Sequence, residues 1–144
     1  MAPESTGAAA LYRDILMEHY HHPRNRGDLR GADRTARGDN PLCGDEIEVG
    51  VFLDDPQGLR VRFRGRGCAI LTASASMMTE AVAHLSRAQT LALCSEIGPW
   101  LAGKPDAKDP PDAIAALACV RAFPARHRCV LLAWEALEAA LAAF

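Results

Sequence analysis

EIEVGVFLDDPQGLRVRFR, residues 46–64, alternates at period two on both sides of a turn. Ile47, Val49, Val51 and Leu53 alternate with Glu46, Glu48, Gly50 and Phe52; after Asp-Asp-Pro-Gln-Gly, Leu59, Val61 and Phe63 alternate with Arg60, Arg62 and Arg64. A strand sends successive side chains to opposite faces, so this pattern predicts an antiparallel hairpin with one apolar face and one charged face. Glu46 and Glu48 then meet the arginine row, each cross-strand pair contributing about 0.2–1 kcal/mol. A hairpin by itself is marginal in water, so its apolar face requires a cover of helices.

Those helices are readable on either side. Upstream, RNRGDLRGADRTARGDN (24–40) is polar and glycine-bearing, with a further strand expected near residues 32–38. Before it, AALYRDILMEHYHHP (9–23) places Leu11, Ile15 and Leu16 on one side at helical spacing, and Pro23 stops the helix. Downstream, CAILTASASMMTEAVAHL (68–85) reads as one helix, with Met77 and Met78 as packing residues. Ser86 and Gln89 form a capping-box pattern opening AQTLALCSEIGPWL (88–101). GKPDAKDPPD (103–112) breaks the chain before two more helices, AIAALACVRA (113–122) and ARHRCVLLAWEALEAALAAF (125–144), the second with Pro124 at its start. The order predicts an α+β fold: a short antiparallel three-stranded sheet covered on one face by helices.

The 144 residues suit one domain, 1–144. A net charge of −2 and a pI near 6.2 argue against nucleic acid as a partner. No apolar run reaches the roughly 18 residues needed to span a bilayer, and the first residues lack a basic segment followed by an apolar one. The expectation is a cytoplasmic protein with no membrane partner.

Five cysteines, an odd set, stand as thiols in a reducing compartment unless chemistry or metal claims them. Cys94 shares a helical spacing with Leu91 and Ile97, and Cys119 with Ile114 and Leu117; both read as small core residues. Cys43, Cys68 and Cys129 instead stand at element boundaries: a Pro/Gly loop entering the hairpin, a Gly-Arg-Gly turn into a helix, and the second turn of the last helix. A helix N-terminus at Cys68, and Arg126 three residues before Cys129, both favour thiolate. Three thiolates with the Asp45 carboxylate would complete a tetrahedral zinc site. Spacing alone is no zinc-finger pattern, and leaves the metal site and an unligated set of thiols both open.

LYRDILMEHYHHPRNRG, NPLCGDEIEV, GRGCAILTASASMMTEAV and FPARHRCVLLAWEAL resemble, in order and across most of the chain, the zinc-bearing SufU branch of the IscU/NifU N-terminal family of iron–sulfur cluster assembly proteins. Two departures from the IscU pattern select that branch. IscU-type scaffolds carry histidine directly before the third cysteine, where this chain has Arg128. His127, two places before Cys129, would point away from it on a helix. The segment between Cys68 and Cys129 is also long, as in SufU.

The resemblance implies an IscU-like fold and zinc held by Cys43, Asp45, Cys68 and Cys129. It also implies the role of receiving sulfur from a SufS-type cysteine desulfurase, with a SufBCD-type cluster scaffold downstream. Cys43 is then the sulfur acceptor, because Pro41 and Gly44 put it on a loop, and Arg126 is thiolate support for the rival acceptor Cys129. Two other readings use the same residues: an IscU-type scaffold binding iron and a [2Fe–2S] cluster, and a zinc protein whose metal only holds the fold. His19, His21 and His22, near a helix C-terminus, are expected to face solvent rather than metal. No function attaches to His84, Trp100 or Trp134.

Overall fold

The period-two stretch forms β2 (Asp45–Phe52) and β3 (Arg60–Arg66), paired antiparallel with Val49 opposite Phe63 and Val51 opposite Val61. The computed structural model, which describes residues 3–42, 44–56 and 58–142, adds β1 (Arg34–Asn40) antiparallel to β2, giving the strand order β1-β2-β3. Ile47, Val49, Val51, Val61 and Phe63 are buried on the helix-covered face. On the other face Glu48 meets Arg64 at 2.8 Å, and Glu46 meets Arg66 at 3.3 Å and Arg37 at 3.6 Å. These are partly solvated pairs, each worth at most about 1 kcal/mol. They fix register more than they stabilise.

The alternation breaks at the end of β2. Phe52, expected among the charged residues, is buried, and Leu53, expected inside, is half exposed. The strand ends at Phe52, and the segment before β1 lies over this end of the charged face, with Leu29 and Ala32 beside Gly50 and Gly31 beside Phe52. Gly50 leaves the room: a Cβ there would lie 3.1 Å from Ala32 and 3.2 Å from Leu29. The Arg60 guanidinium sits 3.9 Å over the Phe52 ring, held by two hydrogen bonds to Asp54.

Among the described residues the α-helices are α1 (Pro3–His21), α2 (Ala69–Val82), α3 (Arg87–Leu101) and α4 (His127–Ala142). α4 packs on β1 and β2, while α2 packs on β3, α1 and α4. α2 is buried from Leu71 to Thr79, including Met77 and Met78, and its many alanines and serines let three neighbours approach. α3 opens with the expected capping box, Gln89 N–H donating to Ser86 Oγ at 3.1 Å and Ser86 N–H to Gln89 Oε1 at 2.9 Å. The segment expected as an α-helix at 113–122 is a 3₁₀ helix, Asp112–Val120. Its buried residues Ile114, Leu117 and Val120 recur at every third place, which aligns them as one stripe at three residues per turn.

On α1 only Leu16 of the expected apolar trio is buried; Leu11 and Ile15 are exposed. The inward face is marked by Tyr12, Leu16 and His19 instead. Among the described residues no helix is long and apolar enough to cross a membrane.

Candidate metal centre

Three element ends meet at one end of the sheet. Asp45 opens β2, Cys68 is the N-cap of α2, and Cys129 lies in the first turn of α4. One ligand atom from each of the three lies within 4.8 Å of the others. The β2–β3 register explains the first contact: Glu46 faces Arg66, so the chain leaving β3 passes Asp45 as it enters α2. Cys68 N–H donates to Asp45 Oδ1 at 3.3 Å.

The other carboxylate oxygen, Asp45 Oδ2, is buried and has no hydrogen-bond partner among the described residues. An unsatisfied buried acceptor costs about 1–3 kcal/mol, and more when charged. Gly67 keeps this space open. A Cβ there would fall 2.7 Å from Asp45 Oδ1 and 2.6 Å from Leu71 Cδ2.

The Cys129 thiol is pushed up to about 12, first by burial, then by its hydrogen bond to Cys68 and the nearby Cys68 and Asp45. Arg126 donates toward Cys129 and pulls the other way, in the expected direction, but burial and the neighbouring acids outweigh it. A buried carboxylate oxygen without a donor and two adjoining thiols form a donor set that a cation would satisfy. One oxygen and two sulfurs suit a borderline-soft ion such as zinc, leaving a fourth position for another ligand.

The fourth expected ligand, Cys43, lies outside the described residues. Its flanking turn is described: Gly44 N–H donates to the Asn40 carbonyl at 2.9 Å, and Leu42 is 95% exposed. His127 turns elsewhere, its Nε2 bonded to the Arg121 carbonyl at 3.1 Å, and Arg128 pairs with Glu135 at 2.8 Å. Among the described residues the cluster contains no histidine.

Cys94 and Cys119 are partly buried against the core, and burial raises both thiols, Cys94 to about 12. His21 and His22 are exposed, as expected of them. His19 is not: it is 6% exposed, with Nδ1 at 2.7 Å from Ser76 Oγ, and burial holds its pKa below the ordinary value. Gly67 is the site residue that reading by chemical type passes over; its one signal is the Gly-Arg-Gly run immediately before Cys68.

Residues 11–129 match the family model described as the NifU-like N terminal domain. The chain belongs to this family. The chain is similar to the zinc-dependent sulfurtransferase SufU of Bacillus subtilis, 40% identical over 134 residues, covering 92% of this chain and 90% of that protein. The iron–sulfur cluster assembly scaffold protein IscU of Streptococcus pyogenes serotype M1 is 38% identical over 133 residues, covering 91% of this chain and 82% of that one. Among solved structures, a SUF-system assembly scaffold protein from Fervidobacterium islandicum superposes with a TM-score of 0.79 at 29% identity, covering 89% of this chain and 94% of that one. The chain is therefore a member of the NifU-like iron–sulfur cluster assembly scaffold family, with the fold of its IscU and SufU relatives.

Proposed function

We propose that the protein is a zinc-dependent sulfurtransferase, working as one domain in the cytoplasm. It accepts persulfide sulfur from a SufS-type cysteine desulfurase and passes it toward a SufBCD-type scaffold. The observation that carries this reading is the Asp45–Cys68–Cys129 cluster, with its unpaired carboxylate oxygen and no histidine among the described residues. The similarity to a Bacillus protein named as a zinc-dependent sulfurtransferase supports it.

Cys43, Asp45, Cys68 and Cys129 would hold the zinc, which when bound keeps buried thiols ionised at neutral pH. Asp45 is oriented for ligation by the Cys68 N–H, and Arg126 stabilises negative charge at Cys129. Cys43 is the acceptor. Its thiolate attacks the outer sulfur of the desulfurase persulfide; a new S–S bond forms on Cys43, the old S–S bond breaks, and the desulfurase cysteine leaves as a thiolate. The protein then carries the persulfide away.

The second reading, a scaffold on which a [2Fe–2S] cluster is assembled, draws on the comparable similarity to a protein named as an IscU scaffold. Metal analysis joined to a desulfurase assay separates the readings. The proposal expects close to one zinc per chain, no visible chromophore, and alanine release that rises when the zinc-loaded chain is added to desulfurase and cysteine. Iron with strong visible bands and no rise in alanine would establish the scaffold. Zinc with no rise would leave a structural metal.

A further inference from the structure

Cys68 and Cys129 sit on different helices, so the distance between them depends on how α2 lies against α4. Apolar packing is non-directional and sets such a register only through shape. A buried hydrogen bond sets it by geometry. Among the described residues, besides the contact between the two thiols themselves, the side-chain hydrogen bonds that link these helices run through one hydroxyl: Ser74 Oγ donates to the Val130 carbonyl at 2.9 Å and accepts from Trp134 Nε1–H at 3.1 Å. Ser74 and Val130 are fully buried and Trp134 is 1% exposed. We propose that Ser74 is a positioning residue for the metal centre, holding the backbone next to Cys129 in fixed register with the helix capped by Cys68.

Val130 directly follows Cys129, so the bond grips the chain one residue from a ligand. Its carbonyl is already the acceptor of the helical bond from residue 134, and Ser74 supplies a second donor. Ser76, two residues further along α2, provides the contrast. It is equally buried, but it takes the Arg24 N–H at 2.8 Å and bonds His19, tying α2 to α1 and its following loop rather than to α4. Two serines of one helix thus hold opposite neighbours, and only one of those neighbours carries a ligand.

The inference rests on the metal-centre reading only for its cobalt measurement, so the test has a metal-free arm as well. Wild type, Ser74→Ala, Trp134→Phe, the double variant Ser74→Ala/Trp134→Phe, and Ser76→Ala are titrated with Co²⁺, following thiolate-to-cobalt absorption. Separately, the metal-free proteins are oxidised with diamide and the Cys68–Cys129 disulfide is quantified by peptide mass mapping. Melting temperature is measured throughout.

Ser74→Ala leaves the Trp134 N–H buried without an acceptor, whereas the double variant removes both partners and recovers stability. Both are expected to weaken Co²⁺ binding about 10- to 100-fold, the range for groups that orient metal ligands, and to lower the disulfide yield several-fold. Trp134→Phe and Ser76→Ala are expected to stay near wild type in both site readouts, whatever their melting temperatures. Should Ser74→Ala fail to fold, the double variant carries the test. Site readouts that follow melting temperature across the set, or that do not move in the double variant, overturn the proposal. A wild type without thiolate–cobalt bands, but with a disulfide yield that depends on Ser74, overturns the metal reading and leaves standing Ser74's hold on the Cys68–Cys129 geometry.

Discussion

The two ends of α2 handle buried polar groups in opposite ways. Toward its C-terminus each has a partner: Ser76 bonds His19 and the Arg24 N–H, while Thr79 donates to the Ser76 carbonyl at 2.8 Å and accepts from Asn25 at 2.9 Å. At the N-terminus Asp45 Oδ2 has none among the described residues, and Cys129 is held protonated by burial beside Cys68. Native interiors satisfy nearly all their polar groups, so an exception calls for a reason. The saturated end fastens α1 and the loop after it. The unsaturated end is where the proposed cation and reactive sulfur would sit.

The largest expected effect is at the unsaturated end. Cys43→Ala should reduce sulfur acceptance to the desulfurase-only background in an alanine-release assay while leaving far-UV circular dichroism unchanged, since the proposed ligands Asp45, Cys68 and Cys129 would remain. Next, Cys129→Ala should lose bound zinc on gel filtration, and chelation of the wild type should lower its melting temperature. A ligand that binds only the folded state stabilises it by roughly 4 kcal/mol when free ligand is a thousand times Kd.

A smaller effect compares two glycines. Gly67→Ala should weaken zinc binding about tenfold by displacing Asp45. Gly98→Ala, with nothing beyond its chain neighbours within 4 Å of its added carbon, should leave zinc alone; its helical place directly before Pro99, where a Cβ crowds the proline ring, makes it neutral to slightly destabilising.

The smallest effect is at the saturated end. The folded-state pKa of His19 is lowered by burial and by Arg24, against raising contributions from Glu80 and Glu18. The folded state therefore binds this proton less readily than the unfolded chain. The associated stability is complete above the ordinary histidine value near pH 6.5 and declines as pH falls from there through the folded pKa. Urea unfolding at pH 7 and pH 5 should show this loss in wild type, and His19→Gln should flatten part of it.

Much of this arrangement was legible in the residues. Ile47, Val49 and Val51 against the row Arg60, Arg62 and Arg64 revealed the hairpin, because a strand half covered by helices must alternate. Phe52 and Leu53 misled, since the loop covering that end of the charged face is distant in register from the pattern it alters. Leu11 and Ile15 misled for another reason: apolar identity suggested the inward face of α1, whereas Tyr12, Leu16 and His19 form it. A buried histidine satisfied by a serine 57 residues away leaves no local trace. In the site, Asp45, Cys68 and Cys129 were recognisable by residue type and boundary position. The cost of ionising Cys129 was not, because burial by three neighbouring elements is a tertiary property.

The central claim is that Cys43 receives sulfur in a chain whose other ligands hold zinc. It is tested most directly by mixing the zinc-loaded protein with a SufS-type desulfurase and cysteine, trapping thiols by alkylation and locating the added sulfur by peptide mass spectrometry. One extra sulfur is expected on the Cys43 peptide and none on that of Cys68, Cys94 or Cys119. Extra sulfur on Cys129 in a fully active Cys43→Ala variant, or on no cysteine at all, would contradict it.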